Sequence, residues 1–298
     1  MTSRTLYVIG NGFDLWHGIP SSYSCFRDYV RLHGRDVFDA VESYLPVGES
    51  WSDLEAAFAE IDVDHVIESL GHFMGSYGDD DWSDSGHHDF QYEVERVVER
   101  LSRELRFLFG GWIRQLPIPT ATTVTQRLRF LDRDAIFLTF NYTKTLREIY
   151  GVADANVLHI HGNADLPDSE LILGHAWHPE SCRSLNDRTD IEDIDVRLAE
   201  AHDILDDYFT KTFKPSAQII QAHGDFFALM RDVKEVFVLG HSLSDVDKPY
   251  FDAMLAVPGM RTARWTLACR EDAGEKSRRI YAFGIAPASV RTVSWGAL

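Results

Sequence analysis

Short apolar runs recur at 6–9, 135–140, 157–160, 171–173, 236–239, 265–268 and 290–293. Most lack strict alternation of apolar and polar positions. That pattern predicts strands covered on both faces, as in a parallel sheet. Between them, Phe90, Val94, Val97, Leu101, Leu105, Leu108 and Trp112 recur at steps of three and four, the signature of a long amphipathic helix. A second stripe runs through Ile191, Ile194, Leu198, Leu205 and Phe209, and a third through Ile219, Ile220, Phe226, Phe227 and Met230. The order predicts an α/β fold: an open, mostly parallel sheet flanked by helices, with a helical insertion. We read 1–298 as a single domain, with residues 40–120 as a helical insertion or cap within it. Inside that insertion, 77–89 is acidic and Gly-containing, and reads as an exposed loop. Its His87–His88 pair is better explained by solvation than by a metal.

Composition narrows the function classes. The 298 residues are 45% hydrophobic and 12% aromatic, enough for a sizeable core. The formal net charge of −18, with no basic run, repels polyphosphate backbones and makes nucleic acid a poor partner. A small anion remains compatible, because backbone N–H groups hold phosphate whatever the net charge. The three cysteines, Cys25, Cys182 and Cys269, are isolated, so neither a disulfide framework nor a Cys-rich zinc module organises the fold. The first residues run into a strand without a signal-peptide core, and no apolar stretch approaches the roughly 20 residues that span a bilayer. A cytoplasmic protein without a membrane partner is expected.

Two patterns carry chemistry. First, the strand at 6–9 leads into Gly10-Asn11-Gly12-Phe13-Asp14-Leu15. A Gly-x-Gly turn between strand and helix exposes N–H groups and lets a ligand approach the backbone, which suits a pyrophosphate. It is not a Walker A loop, and Leu15 breaks a full Gly-x-Gly-x-x-Gly. A tight turn without a ligand is the competing reading. Asp14 is read as a helix cap or a ribose contact, capping being the simpler role.

Second, three later runs end in polar residues: 135–140 in Asn141-Tyr142-Thr143, 157–160 in His161-Gly162, and 236–239 in Gly240-His241-Ser242-Leu243-Ser244-Asp245. Open α/β sheets bind ligands at such strand ends. His159 is expected to pack inside or bond the backbone, and His161 to face a cleft, where an imidazole can take a proton near neutral pH. Asn141 can orient water or a ribose. Ser242 and nearby N–H groups suit phosphate or ribose. His241 and Asp245 have the chemistry of metal ligands, but capping by Asp245 and Asp247 is preferred, and no metal is expected.

These residues, with Pro20-Ser21-Ser22-Tyr23-Ser24, Trp51-Ser52-Asp53-Leu54-Glu55 and Phe213-Lys214-Pro215, resemble the bacteriophage abortive infection AbiH family over nearly the whole chain. That family is distantly similar to the sirtuin-like NAD-binding superfamily. The resemblance implies a sirtuin-like fold in which Gly10, Asn11, Gly12 and Phe13 hold the cofactor with Gly240, Ser242 and Asp245, while Asn141 and His161 are the catalytic pair; Asp14 and His241, in the same two turns, complete the expected cofactor site. It also implies antiviral defence. The four-cysteine zinc module of sirtuin deacetylases is missing, which argues against deacetylation. Thr143 stands where the defence members carry an Asp.

Three functions follow as expectations. The first is hydrolysis of NAD to nicotinamide and ADP-ribose, with Asn141 positioning water or ribose and His161 acting as base. The second is a non-catalytic nucleotide-binding sensor or scaffold, favoured by Thr143. The third is a metal-dependent nuclease or phosphohydrolase toxin, disfavoured by the charge. Expected partners are a small nucleotide, a phage-derived trigger or defence protein, and a further copy of the chain. Trp51 and Glu55, at i, i+4 on a helix face, are expected to anchor the insertion.

Overall fold

The computed structural model describes residues 4–74, 88–166, 169–179, 183–187, 195–270 and 273–298. The chain opens with β1 (Arg4–Ile9) and α1 (Asn11–Trp16). It continues through α2 (Tyr23–His33), α3 (Arg35–Tyr44), α4 (Leu54–Ala57), α5 (Val63–Leu70), α6 (Asp89–Glu99) and α7 (Leu105–Gln115). Then come β2 (Ile136–Thr139), α8 (Thr145–Tyr150), β3 (Val157–His159), α9 (Val196–Lys211), α10 (Ser216–Ala222) and α11 (Gly224–Ala228). Last are β4 (Val233–Leu239), α12 (Lys248–Ala256), β5 (Arg264–Cys269), α13 (Ala273–Ala282) and β6 (Val290–Ser294). The chain divides into two compact units, Met1–Ser22 with Trp112–Ile172 and Pro215–Leu298, and Tyr23–Gly111 with Leu173–Lys214.

The first unit holds a six-stranded sheet in the order β3-β2-β1-β4-β5-β6, every pair parallel. Register explains the missing alternation. Leu6 and Val8 point with Ile136, Leu138, Val236, Val238, Trp265 and Leu267 into one core, beneath α10, α12 and α13. Tyr7 and Ile9 point with Phe137, Leu239 and Ala268 into another, beneath α1 and α8. Across three strands Tyr7 stacks on Phe137 at 4.9 Å and Phe237 at 5.2 Å between centroids. A strand buried on both faces has no side to leave polar.

Two sequence expectations fail locally. The run 171–173 is buried at Leu171 and Leu173 but forms no strand; Ile172 N–H donates to His161 O at 2.9 Å. Apolarity there reports burial, not pairing. The third stripe is two short helices, α10 and α11, parting at His223–Gly224, where glycine disfavours helix while the apolar spacing persists.

The second unit is helical. The long stripe is buried along α6 and α7 except at the half-buried Leu108, and the junction of the two at Arg100–Glu104 is a π-helical turn. Gln91 donates to Glu200 at 2.7 Å, joining α6 to α9. Trp51 is not on a helix face with Glu55, because α4 begins at Leu54. It sits ahead of α4 at φ +53°, buried between Phe26 and Phe38, with its indole N–H on Glu42. Glu55 accepts from Tyr23 Oη at 2.6 Å and pairs with the buried Lys214 ammonium. Of the acidic loop, 77–87 lie outside the described residues, as do Ile191 and Ile194 of the second stripe. Among the described residues no helix is long and apolar enough to cross a membrane.

Candidate functional site

The strand order reverses direction at β1, which has β2 on one side and β4 on the other. In open parallel sheets the loops leaving two such strands diverge at their C-terminal ends, and ligands bind there. Here the two loops are Gly10–Phe13 and the segment after Leu239. They are interlocked by glycine. A Cβ on Gly10 would fall 2.5 Å from His241 Cα, and one on Gly240, at φ +74°, would fall 2.1 Å from Phe13 N.

This interlock changes the reading of the first turn. Gly10 N–H donates to Leu239 O at 3.0 Å, Gly12 N–H to Gly240 O at 2.8 Å and Phe13 N–H to Gly10 O at 2.9 Å. Three of the four amides expected to be free for a pyrophosphate, those of Gly10, Gly12 and Phe13, are therefore engaged, and the glycines serve close backbone approach. Asn11 is exposed and turned onto its own segment: its Nδ2 donates to Ser21 O at 2.7 Å and its Oδ1 accepts from Ser21 Oγ at 2.6 Å.

Asp14 does not cap α1; Gly10 holds the N-cap position. Its carboxylate is 1% exposed, and Oδ2 accepts from Thr143 Oγ1 at 2.6 Å. Thr143 spends its only proton there, so Thr145 Oγ1, 3.0 Å away, donates to Thr143. Burial pushes the Asp14 carboxyl up to about 6, against the opposing effect of Thr143, Thr145 and Asn141. The Asn141 amide is close enough to act on that carboxyl, yet neither Asn141 Nδ2 nor Asp14 Oδ1 completes a hydrogen bond. Both are buried polar atoms with capacity to spare. Thr143 therefore does not leave this place without a carboxylate: Asp14 supplies one from β1's side. Sequence reading paired neither residue with the other, since 129 positions separate them.

His159 behaves as expected, donating from Nδ1 to Asn141 O at 3.0 Å; burial lowers its pKa. His161 does not face open solvent. It is 3% exposed, with Phe140 and Tyr250 rings each 5.3 Å from its own. Asp247 is the N-cap residue of α12 but makes no capping bond with its side chain. Its Oδ1 instead lies 3.7 Å from His161 Nε2, and its Oδ2 lies 3.4 Å from His241 Nε2. Ser242 and Asp245 are exposed, and Ser242 O accepts from Arg279 Nη1 at 3.0 Å. Among the described residues no three His, Cys, Asp or Glu side chains are grouped to hold a metal ion.

A cleft of about 250 Å³ opens beside the Asp14 cluster, lined by Tyr142, Thr143, Lys144, Arg114 and Asp165 with an aliphatic wall that includes Ile113. Thr143 thus both lines the cleft and bonds the buried carboxylate. Lys144 Nζ lies 3.0 Å from Asp165 Oδ1, and Arg114 Nε donates to Ala164 O at 2.9 Å.

The family model described as bacteriophage abortive infection AbiH matches residues 6–269, spanning every polar strand end described above. The chain belongs to the AbiH family. Membership assigns this AbiH protein to abortive-infection defence against bacteriophage. No curated protein and no solved structure matches it.

Proposed function

We propose that this AbiH protein binds NAD at the sheet's switch point and hydrolyses its nicotinamide–ribose bond. The observation that carries the reading is a meeting across the sheet edge: Asp14, which follows β1, comes together with Asn141 and Thr143, which follow β2; His161 follows the neighbouring β3. Two of these side chains, Asp14 and Asn141, have unspent hydrogen-bonding capacity. In this reading the amide and carboxylate of that cluster orient ribose hydroxyls, and the imidazole of His161 takes the proton of the attacking water. The fit is to the ribose end. The Gly10, Gly12 and Phe13 amides are engaged within the fold, and Arg114 and Lys144 in the cleft are a source of positive charge for a pyrophosphate. The sirtuin-like relationship is part of this reading: strand order and the Asn141 and His161 positions support it.

The test is incubation of the purified chain with NAD, with and without extract from phage-infected cells, following nicotinamide release. Turnover is expected, and His161→Ala is expected to abolish it. No release under either condition, beside an active NAD-cleaving control, sinks the reading.

A second reading is a sensor that binds a nucleotide and leaves it intact. The burial of His161 and Asn141 favours it. Calorimetry paired with product analysis separates the two: binding without products selects the sensor.

A further inference from the structure

The tautomer of His241 is set by its neighbours. Leu243 N–H donates to His241 Nδ1 at 2.9 Å, so Nδ1 is bare and the ring proton sits on Nε2. That N–H faces Asp247 Oδ2 at 3.4 Å. Leu243 makes this contact from φ +57°, a left-handed conformation that a branched side chain adopts only at a cost. The strained backbone and the uncapped N-cap side chain thus serve one arrangement: Asp247 is gripped by His241 on one oxygen and turns the other toward His161 at 3.7 Å.

We propose that Asp247 is a positioning residue, a carboxylate bridging two imidazoles, which orients His161 and meets the positive charge that His161 acquires. This rests on the NAD-cleaving reading above. In that reaction water adds to ribose C1′ as the C1′–N bond breaks. The bond's electron pair leaves with nicotinamide, cancelling the pyridinium charge, and the water proton passes to His161 and then to solvent. Products are nicotinamide, ADP-ribose and one proton. A carboxylate beside the imidazole favours its protonated form and so raises its basicity. Among the described residues, groups facing the trio include the Phe140, Tyr142 and Tyr250 rings on His161, Phe140 and Phe251 on His241, and Ser244 Oγ at 3.5 Å from Asp247 Oδ2.

The experiment is nitrogen-resolved imidazole NMR and NAD kinetics on the full chain and on Asp247→Asn. In the wild type His241 should show a bare Nδ1 and a protonated Nε2. In Asp247→Asn the His161 titration midpoint should fall by about one pH unit. The acid limb of kcat/KM should move to lower pH by the same amount, with kcat down about 100-fold and KM nearly unchanged. A merely structural Asp247 would lower the folded fraction and leave both midpoints in place. An unmoved His161 midpoint with NAD turnover intact overturns the bridge and keeps the NAD reading. A moved midpoint without turnover in either chain supports the bridge and overturns the NAD reading. If Asp247→Asn does not fold, the wild-type spectrum decides: a protonated His241 Nδ1 overturns the proposal and a bare one supports it.

Discussion

Helix α1 and its C-cap carry two buried titratable side chains one turn apart, Asp14 and His17, and their surroundings differ. His17 is 3% exposed and has both ring nitrogens engaged. Nδ1 donates to Phe13 O at 2.6 Å, and Nε2 accepts from Tyr150 Oη at 2.7 Å, whose oxygen in turn accepts from Leu128 N–H at 2.9 Å. Burial pushes its pKa down to about 4. Asp14 is 1% exposed and is pushed up to about 6. The cause is shared, because removal from water penalises whichever form is charged, the base's protonated one and the acid's ionised one. The difference lies in completion. The neutral imidazole is fully satisfied, whereas Asp14 keeps an oxygen without a hydrogen bond. The His17 side of α1 is finished as structure; the Asp14 side has capacity left for a ligand.

The largest way to break this contrast is His17→Ala. It removes a buried ring packed on Phe13, Trp16 and Tyr150 and leaves the buried Tyr150 hydroxyl proton without its acceptor, so urea denaturation should show a loss of about 4 kcal/mol. Next comes the pH dependence. His17 has a folded pKa of about 4 against 6.5 in the unfolded chain, so the unfolded chain binds more protons between those values. Its stabilisation is complete above pH 6.5 and is lost as pH falls toward 4. Asp14, with a folded pKa of about 6 against 3.8, works the other way: stability falls as pH rises through that window. The two slopes oppose, so wild-type stability should be nearly flat from pH 4 to 6. Asp14→Asn should unmask His17, giving a fall of about 3 kcal/mol between pH 6.5 and 4. A flat profile in that variant contradicts the His17 shift.

A smaller effect is expected from the same variant at fixed pH. Asp14→Asn should stabilise the fold by about 2 kcal/mol at pH 7, where wild type holds a buried carboxylate, and by nothing below pH 3.8. Stability lost at pH 7 would show that the carboxylate is satisfied. Smallest of all, Thr145→Val should cost about 1 kcal/mol, since Thr143 keeps its bond to Asp14 and loses only the donor behind it. It should also raise the Asp14 midpoint further, because Thr145 lowers it.

The sheet was legible because burial on both faces writes continuous apolar runs into the strands, and six of seven such runs are strands. The run 171–173 shows the limit: a buried loop and a short buried strand carry the same composition. The glycines at 10, 12 and 240 were visible as turns, but not as two turns pressed against each other, since sequence records a glycine without recording what approaches it. Asn141 and His161 do follow strands, as their positions suggested, but their burial was not legible.

The amino-acid order alone determined that strands alternate with helices, that polar residues follow several strands, and that the chain carries the AbiH motifs. Those are local properties, set by the period of apolar positions and by residue identity. Tertiary structure decided which polar groups meet. Thr143 finds Asp14, and Asp247 lies between His161 and His241 instead of capping α12. Parallel strands place residues far apart in sequence at one sheet edge, and only that placement, with the desolvation it brings, turns separate side chains into a cluster.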